Sequence, residues 1–111
     1  MAQGIAESDW KLFRQLHPVA LERFCDQILH EIEIVNSDSA KSFHQRYIDI
    51  YKIVERRDKE LSESFNDLRR STALMQIVSI YGRGLLTETE LMGFSQEVVN
   101  VVKSFIKGRH A

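Results

Sequence analysis

Proline occurs once in this 111-residue chain, at Pro18, and glycine only five times. A chain so short of turn-formers cannot be built from many tight reversals, which excludes many-stranded β architectures, and a 43% hydrophobic fraction excludes disorder. Cysteine also occurs once, at Cys25, so no intramolecular disulfide forms and an oxidising compartment is not required. Neither sign of charge dominates: 15 Lys and Arg stand against 16 Asp and Glu, too even a balance to hold a polyanion or a membrane by bulk electrostatics. Apolar runs are interrupted every two or three residues, and Met1 to Glu7 has no basic segment leading into an apolar one. The expectation is a cytoplasmic protein without signal peptide or membrane span.

What is present is helical periodicity. From Ser8 and Asp9, a side-chain acceptor and an acid suited to a helix start, Trp10, Phe13, His17, Ala20, Leu21, Phe24, Ile28, Ile32 and Val35 recur at helical spacing. The stripe keeps its phase through Pro18, which predicts a first helix kinked or split there into nearly collinear segments. Asn36-Ser37-Asp38-Ser39 marks a corner. A second helix starting near Ser39 then carries Phe43, Tyr47, Ile50, Tyr51, Val54, Leu61, Phe65 and Leu68 on one face. Its other side offers local charge pairs: Asp49 with Lys52, Glu55 with Lys59, Arg56 with Glu60.

Asn66-Asp67 predicts a break and a third helix from Leu68 to Tyr81, ended by Gly82-Arg83-Gly84. After Thr72 its apolar positions cover an arc of roughly 220°, wider than a surface helix needs. Such a helix is either central to the fold or covered on one flank by a second copy of the chain. Thr87-Glu88-Thr89-Glu90 has the form of a capping box, flanked by Leu86 and Leu91 as a hydrophobic staple, and opens a last helix with Leu91, Phe94, Val98, Val101, Val102, Phe105 and Ile106 inward. The sum is a single all-α domain over residues 1–111, a compact antiparallel helical bundle of four to five helices, with 1–7 as a flexible N-terminus.

Residues able to carry chemistry are present but scattered. Cys25 sits beside Asp26 and five before His30, yet His30 falls on the other side of the helix, so Cys25 reads as packing. Glu22, Asp26, His30 and Glu33 form a carboxylate and imidazole strip opposite the apolar stripe, facing water, and no second helix supplies a matching Glu-x-x-His. His17 lies on the apolar side and reads as a core histidine bonded to a carbonyl or carboxylate. Phe43, Tyr47 and Tyr51 read as core aromatics. Arg56-Arg57 and Arg69-Arg70 are diluted by Glu55, Asp58, Glu60 and Asp67, with one or both of Arg57 and Asp58 expected in a partly buried ion pair or an interface.

No catalytic residue, cofactor or metal site is therefore expected, and the chain does not read as an enzyme. It reads as a protein–protein interaction or regulatory module, a homodimer whose interface draws on Leu74, Ile77, Tyr81, Ile48 and Ile53. The alternative is a nucleic-acid-associated regulator in which Arg56, Arg57, Arg69 and Arg70 meet around a corner. A third reading, a ligand carrier, would use the interior around His17, Cys25 and Tyr81.

Overall fold

The computed structural model describes residues 4–110, and among these there is no strand. Helix α1 runs Glu7–Asn36, α2 Phe43–Phe65, α3 Ala73–Gly82, α4 Glu88–Leu91 and α5 Gln96–His110. The all-α helical bundle expected from the periodicity is thus the fold, with Pro18 inside one continuous α1.

The molecule measures 55 × 29 × 22 Å, with a radius of gyration of 16.8 Å, against the ~13 Å expected of a compact domain this long. The excess length is a two-helix arm. α1 alone spans ~45 Å at 1.5 Å per residue. Its fully buried residues, Asp9, Phe13, Ala20 and Phe24, all lie in its first two-thirds. Between Cys25 and Lys52 no residue is fully buried, because there α1 and α2 cover only each other. The remaining helices form a head around one cluster that includes Phe13, Phe24, Phe65, Ile77, Ile80, Leu85, Leu91 and Val102.

α3 is the centre of that head and packs against α1, α2 and α5. This accounts for its wide apolar arc: Ala73, Ile77, Val78 and Ile80 are all buried within the chain. It is shorter than expected, beginning at Ala73 rather than Leu68. Asp67 adopts φ +60°, a left-handed conformation its short polar side chain tolerates. The Thr72 hydroxyl donates to the Asp67 carbonyl (2.7 Å) and Gln76 Nε2 to the Asn66 carbonyl (2.6 Å), so side chains satisfy the backbone that a longer helix would have paired. At the other end Gly84, at φ +76°, closes a Schellman turn, with Leu85 N–H donating to Ile80 O and Gly84 N–H to Tyr81 O.

Two helix starts differ from the sequence reading. Ser8 and Asp9 do not cap α1, whose N-cap is Ala6 without a side-chain bond. Asp9 is buried and takes both the amide (2.8 Å) and the hydroxyl (2.7 Å) of Ser95, at the start of α5. The capping box at Thr87 and Glu90 forms with both bonds in place, at 3.0 and 2.8 Å. The helix it opens is a single turn, however, followed by Gly93 and a fresh start after Ser95. A Cβ on Gly93 would meet the Glu90 carbonyl and the Leu12 side chain at 3.2 Å, so α1 lies over this break. Phe105, expected inward, is exposed on α5.

Residues 1–3 of the expected flexible N-terminus lie outside the described residues; of the rest, Gly4, Ala6 and Glu7 are exposed and Ile5 is held in the head. Ile5 is buried and its carbonyl accepts from Arg70 Nε at 2.7 Å. Gly4, at φ +104°, passes so close to Arg70 that a Cβ would overlap its carbonyl oxygen.

Candidate interaction surface

The second helix carries one apolar stripe whose two halves have different fates. Phe43, Tyr47, Tyr51, Val54, Leu61 and Phe65 follow one another at spacings that keep to one side of a helix, with Asp58 between. At the head end Phe65 is buried, its ring 5.7 Å from that of Phe24 and 5.3 Å from the imidazole of His17. On the arm the same stripe is largely uncovered: Ile50 is half-buried, but Phe43 is 84% exposed, Tyr47 69%, Tyr51 59% and Val54 46%. The core role expected for Phe43, Tyr47 and Tyr51 is therefore corrected. The residue turned inward on this part of α2 is Ile53. α3, only ten residues long, ends the cover at the head.

Local chemistry holds the stripe in place. Ser42 caps α2, its hydroxyl accepting from the Gln45 amide at 3.0 Å. Lys41 donates to Asp49 at 2.7 Å, and Gln45 to the same carboxylate at 2.8 Å, so the Asp49 carboxyl is held below its usual range by the Lys41 and Gln45 hydrogen bonds. The Arg46 guanidinium lies over the Phe43 ring at 4.6 Å and donates to the Asn36 carbonyl at 2.8 Å. Where α2 reaches the head, Arg56 and Arg57 both donate to Glu31 of α1, and Arg57 also to Glu60. Arg57 and Arg83 stand over Phe24 at 5.2 and 5.7 Å. Arg83 donates to Ser64, whose hydroxyl bonds that of Ser79 at 2.7 Å. Arg57 thus occupies the partly buried ion pair expected of it. The local pairs read from α2 give way to bonds between elements: Arg56 goes to Glu31, and Asp49 to Lys41 at the corner.

The other sequence candidates fall as follows. Ile77 and Ile53 are buried inside the chain and unavailable to a partner. Leu74 is half-buried against the core. Tyr81, also half-buried, donates to Glu88 at 2.7 Å and takes a bond from Lys103 of α5 at 3.2 Å. Ile48 is half-buried on the arm. The wide arc of the third helix is filled by its neighbours in the same chain, which removes the reason for placing a dimer contact there. The four arginines are each neutralised locally: Arg56 and Arg57 as above, Arg69 by Asp67 at 2.7 Å, Arg70 by Glu7 at 2.9 Å.

His17 Nε2 donates to the Phe65 carbonyl at 3.1 Å, between the edges of Phe13 and Phe65. Cys25 is half-buried, and Glu22, Asp26, His30 and Glu33 are exposed. Among the described residues no group of three or more His, Cys, Asp or Glu side chains is placed to hold a metal ion, and no helix is long and apolar enough to cross a membrane. An open cavity of about 570 Å³ is lined by Ser62, Asn66, Asp67, Thr72, Met75 and Gln76 among others, and one of about 130 Å³ by Ile5, Asp9, Leu74 and Val98. His17, Cys25 and Tyr81 line neither. No family model, no curated protein and no solved structure matches this chain.

The feature that sequence reasoning missed is the free half of the α2 stripe. Its period was legible, but nothing in residue order marks where along it the cover ends.

Proposed function

We propose that this chain is a non-catalytic protein–protein interaction module of the cytoplasm. The head is a scaffold, and the α1–α2 arm presents an apolar helical stripe to another protein, the first partner being a second copy of the chain. The observation that carries this reading is the solvent exposure of Phe43, Tyr47, Tyr51 and Val54 along one line of a capped, ion-paired helix. Aromatic side chains dominate interface energetics, and monomers rarely leave such lines of apolar surface open without use. The single thiol suits a reducing compartment.

Photo-crosslinking tests the reading. Benzoylphenylalanine replaces Tyr47 or Tyr51 in the chain expressed in its native cells, with Met92, which is 53% exposed on the head, as the control position. Adducts are expected from positions 47 and 51 and not from 92. Equal or absent adducts at all three would overturn the reading.

A further inference from the structure

The interaction reading leaves the geometry of pairing open, and the arm supplies it. We infer that two copies of this chain pair through the outward stripe of α2, antiparallel about a two-fold axis lying between Tyr47 and Tyr51. This rests on the interaction reading above and commits it to one surface and one occupant.

Three observations carry it. First, the stripe is nearly symmetric about its middle. Phe43 and Val54 lie at its ends and two tyrosines lie inside, so a two-fold axis places Tyr47 of each copy on Tyr51 of the other and each Phe43 near Val54. The phenol hydroxyls stay at the rim, where water satisfies them.

Second, the charges at the two ends are complementary to each other. Arg46 and Lys41, the latter already bonded to Asp49, flank the N-terminal end beside the uncharged His44, while Glu55 and Asp58 flank the C-terminal end. Both of those carboxylates are exposed and neither has an ion-pair partner among the described residues. Antiparallel pairing lays the acidic end of one copy over the basic end of the other at both ends of the contact, whereas parallel pairing sets like on like.

Third, the area is sufficient and not large. At the exposures given, the three rings and Val54 present roughly 500 Å² per copy, so pairing removes at most roughly 1,000 Å², less what the phenol hydroxyls keep in water. That is the size of a weak, transient contact and falls well short of an obligate one. The folded monomer is expected to persist on its own, with the dimer forming reversibly as concentration rises.

Sedimentation velocity on the full chain, from low to high micromolar concentration, tests the inference. The mass is expected to rise from one chain to two. Tyr47→Lys with Tyr51→Lys is expected to weaken dimerisation at least tenfold with circular dichroism and Tm unchanged, since both residues are exposed in the monomer. Glu55→Lys with Asp58→Lys, and separately Lys41→Glu with His44→Glu, should each weaken self-pairing, and an equal mixture of the two variants should restore it as a heterodimer. One-chain mass at every concentration overturns the inference, as does a dimer that survives the tyrosine pair unchanged or a mixture that restores nothing. A one-chain mass together with position-47 adducts to a different protein would sink self-pairing and leave the interaction module standing. No adduct at all would sink both.

Discussion

Asp9 joins the two ends of the described chain. Its carboxylate is buried and receives both polar groups of Ser95, so it anchors the first turn of α1 and the start of α5 in one contact. Removing it leaves the part-buried amide and hydroxyl of Ser95 without their acceptor, a loss of about 1–3 kcal/mol. Asp9→Ala is expected to lower the unfolding free energy measured by urea titration by that amount and to speed amide exchange at Gln96 to Val99. Asp9→Asn keeps one acceptor and costs less. At the same scale, burial separates two apolar residues of similar chemistry. Ile77→Ala opens a cavity at the centre of the head and should cost about 2–5 kcal/mol, while Tyr47→Ala should change monomer stability by less than ~0.5 kcal/mol. Thermal unfolding below the dimerisation range measures both.

Among the elements, α4 is only four residues long and is held by a partner outside itself. Arg23 of α1 grips Glu90 with two bonds, 2.7 and 2.9 Å, while also donating to the Leu85 carbonyl, and Glu90 closes the capping box. Those bonds, the Arg23 ones first, hold the Glu90 carboxyl at about 2 instead of 4.5. A carboxyl held low in the folded state stabilises the fold above its unfolded value and loses that contribution as pH falls from about 4.5 toward 2. With Arg23 partly in solvent, the contribution is on the order of 1–2 kcal/mol. Glu90→Gln should therefore be less stable than wild type at pH 7, with the difference closing near pH 2. Denaturant titrations at several pH values check the sign. α4 also shows how far a local signal reaches: Thr87 and Glu90 were legible as a capping box because both bonds are made within three residues. Where the helix stops depends on Leu12 lying over Gly93 and on Asp9 capturing Ser95, and both contacts come from α1.

Across the whole molecule, stability is uneven by construction. The head carries the buried cluster, and the arm has none beyond Cys25 on the outward path or before Ile53 on the return. Amides of residues 30–50 are expected to exchange through local opening, well before global unfolding, while those of α3 exchange only with the global event. Exchange measured by mass spectrometry distinguishes the two, and uniform protection along α2 would contradict this division. Addition of a second copy at high concentration should slow exchange on α2 more than on the outer face of α1.

Helix content, the inward stripe of α1, the corner after Asn36, the end of α3 at Gly82 and the capping box were all readable from residue order. Each rests on interactions within a turn or two of the chain, or on a period that repeats over many residues. The carbonyl partner of His17 was likewise foreseen in kind, because a polar ring on an apolar face must find an acceptor. Residue order could not distribute cover along a stripe. Phe65 and Tyr47 share one face of one helix and one chemical character, yet Phe65 is buried and Tyr47 stands in water, because α1, α3 and their side chains meet at one end of α2 only. The same reason decided that Arg56 bonds Glu31 rather than Glu60, that Asp9 serves α5 rather than α1, and that Ile77 is interior. A contact between residues far apart in the chain is set by where whole helices cross, and periodicity within each helix carries no information about that crossing.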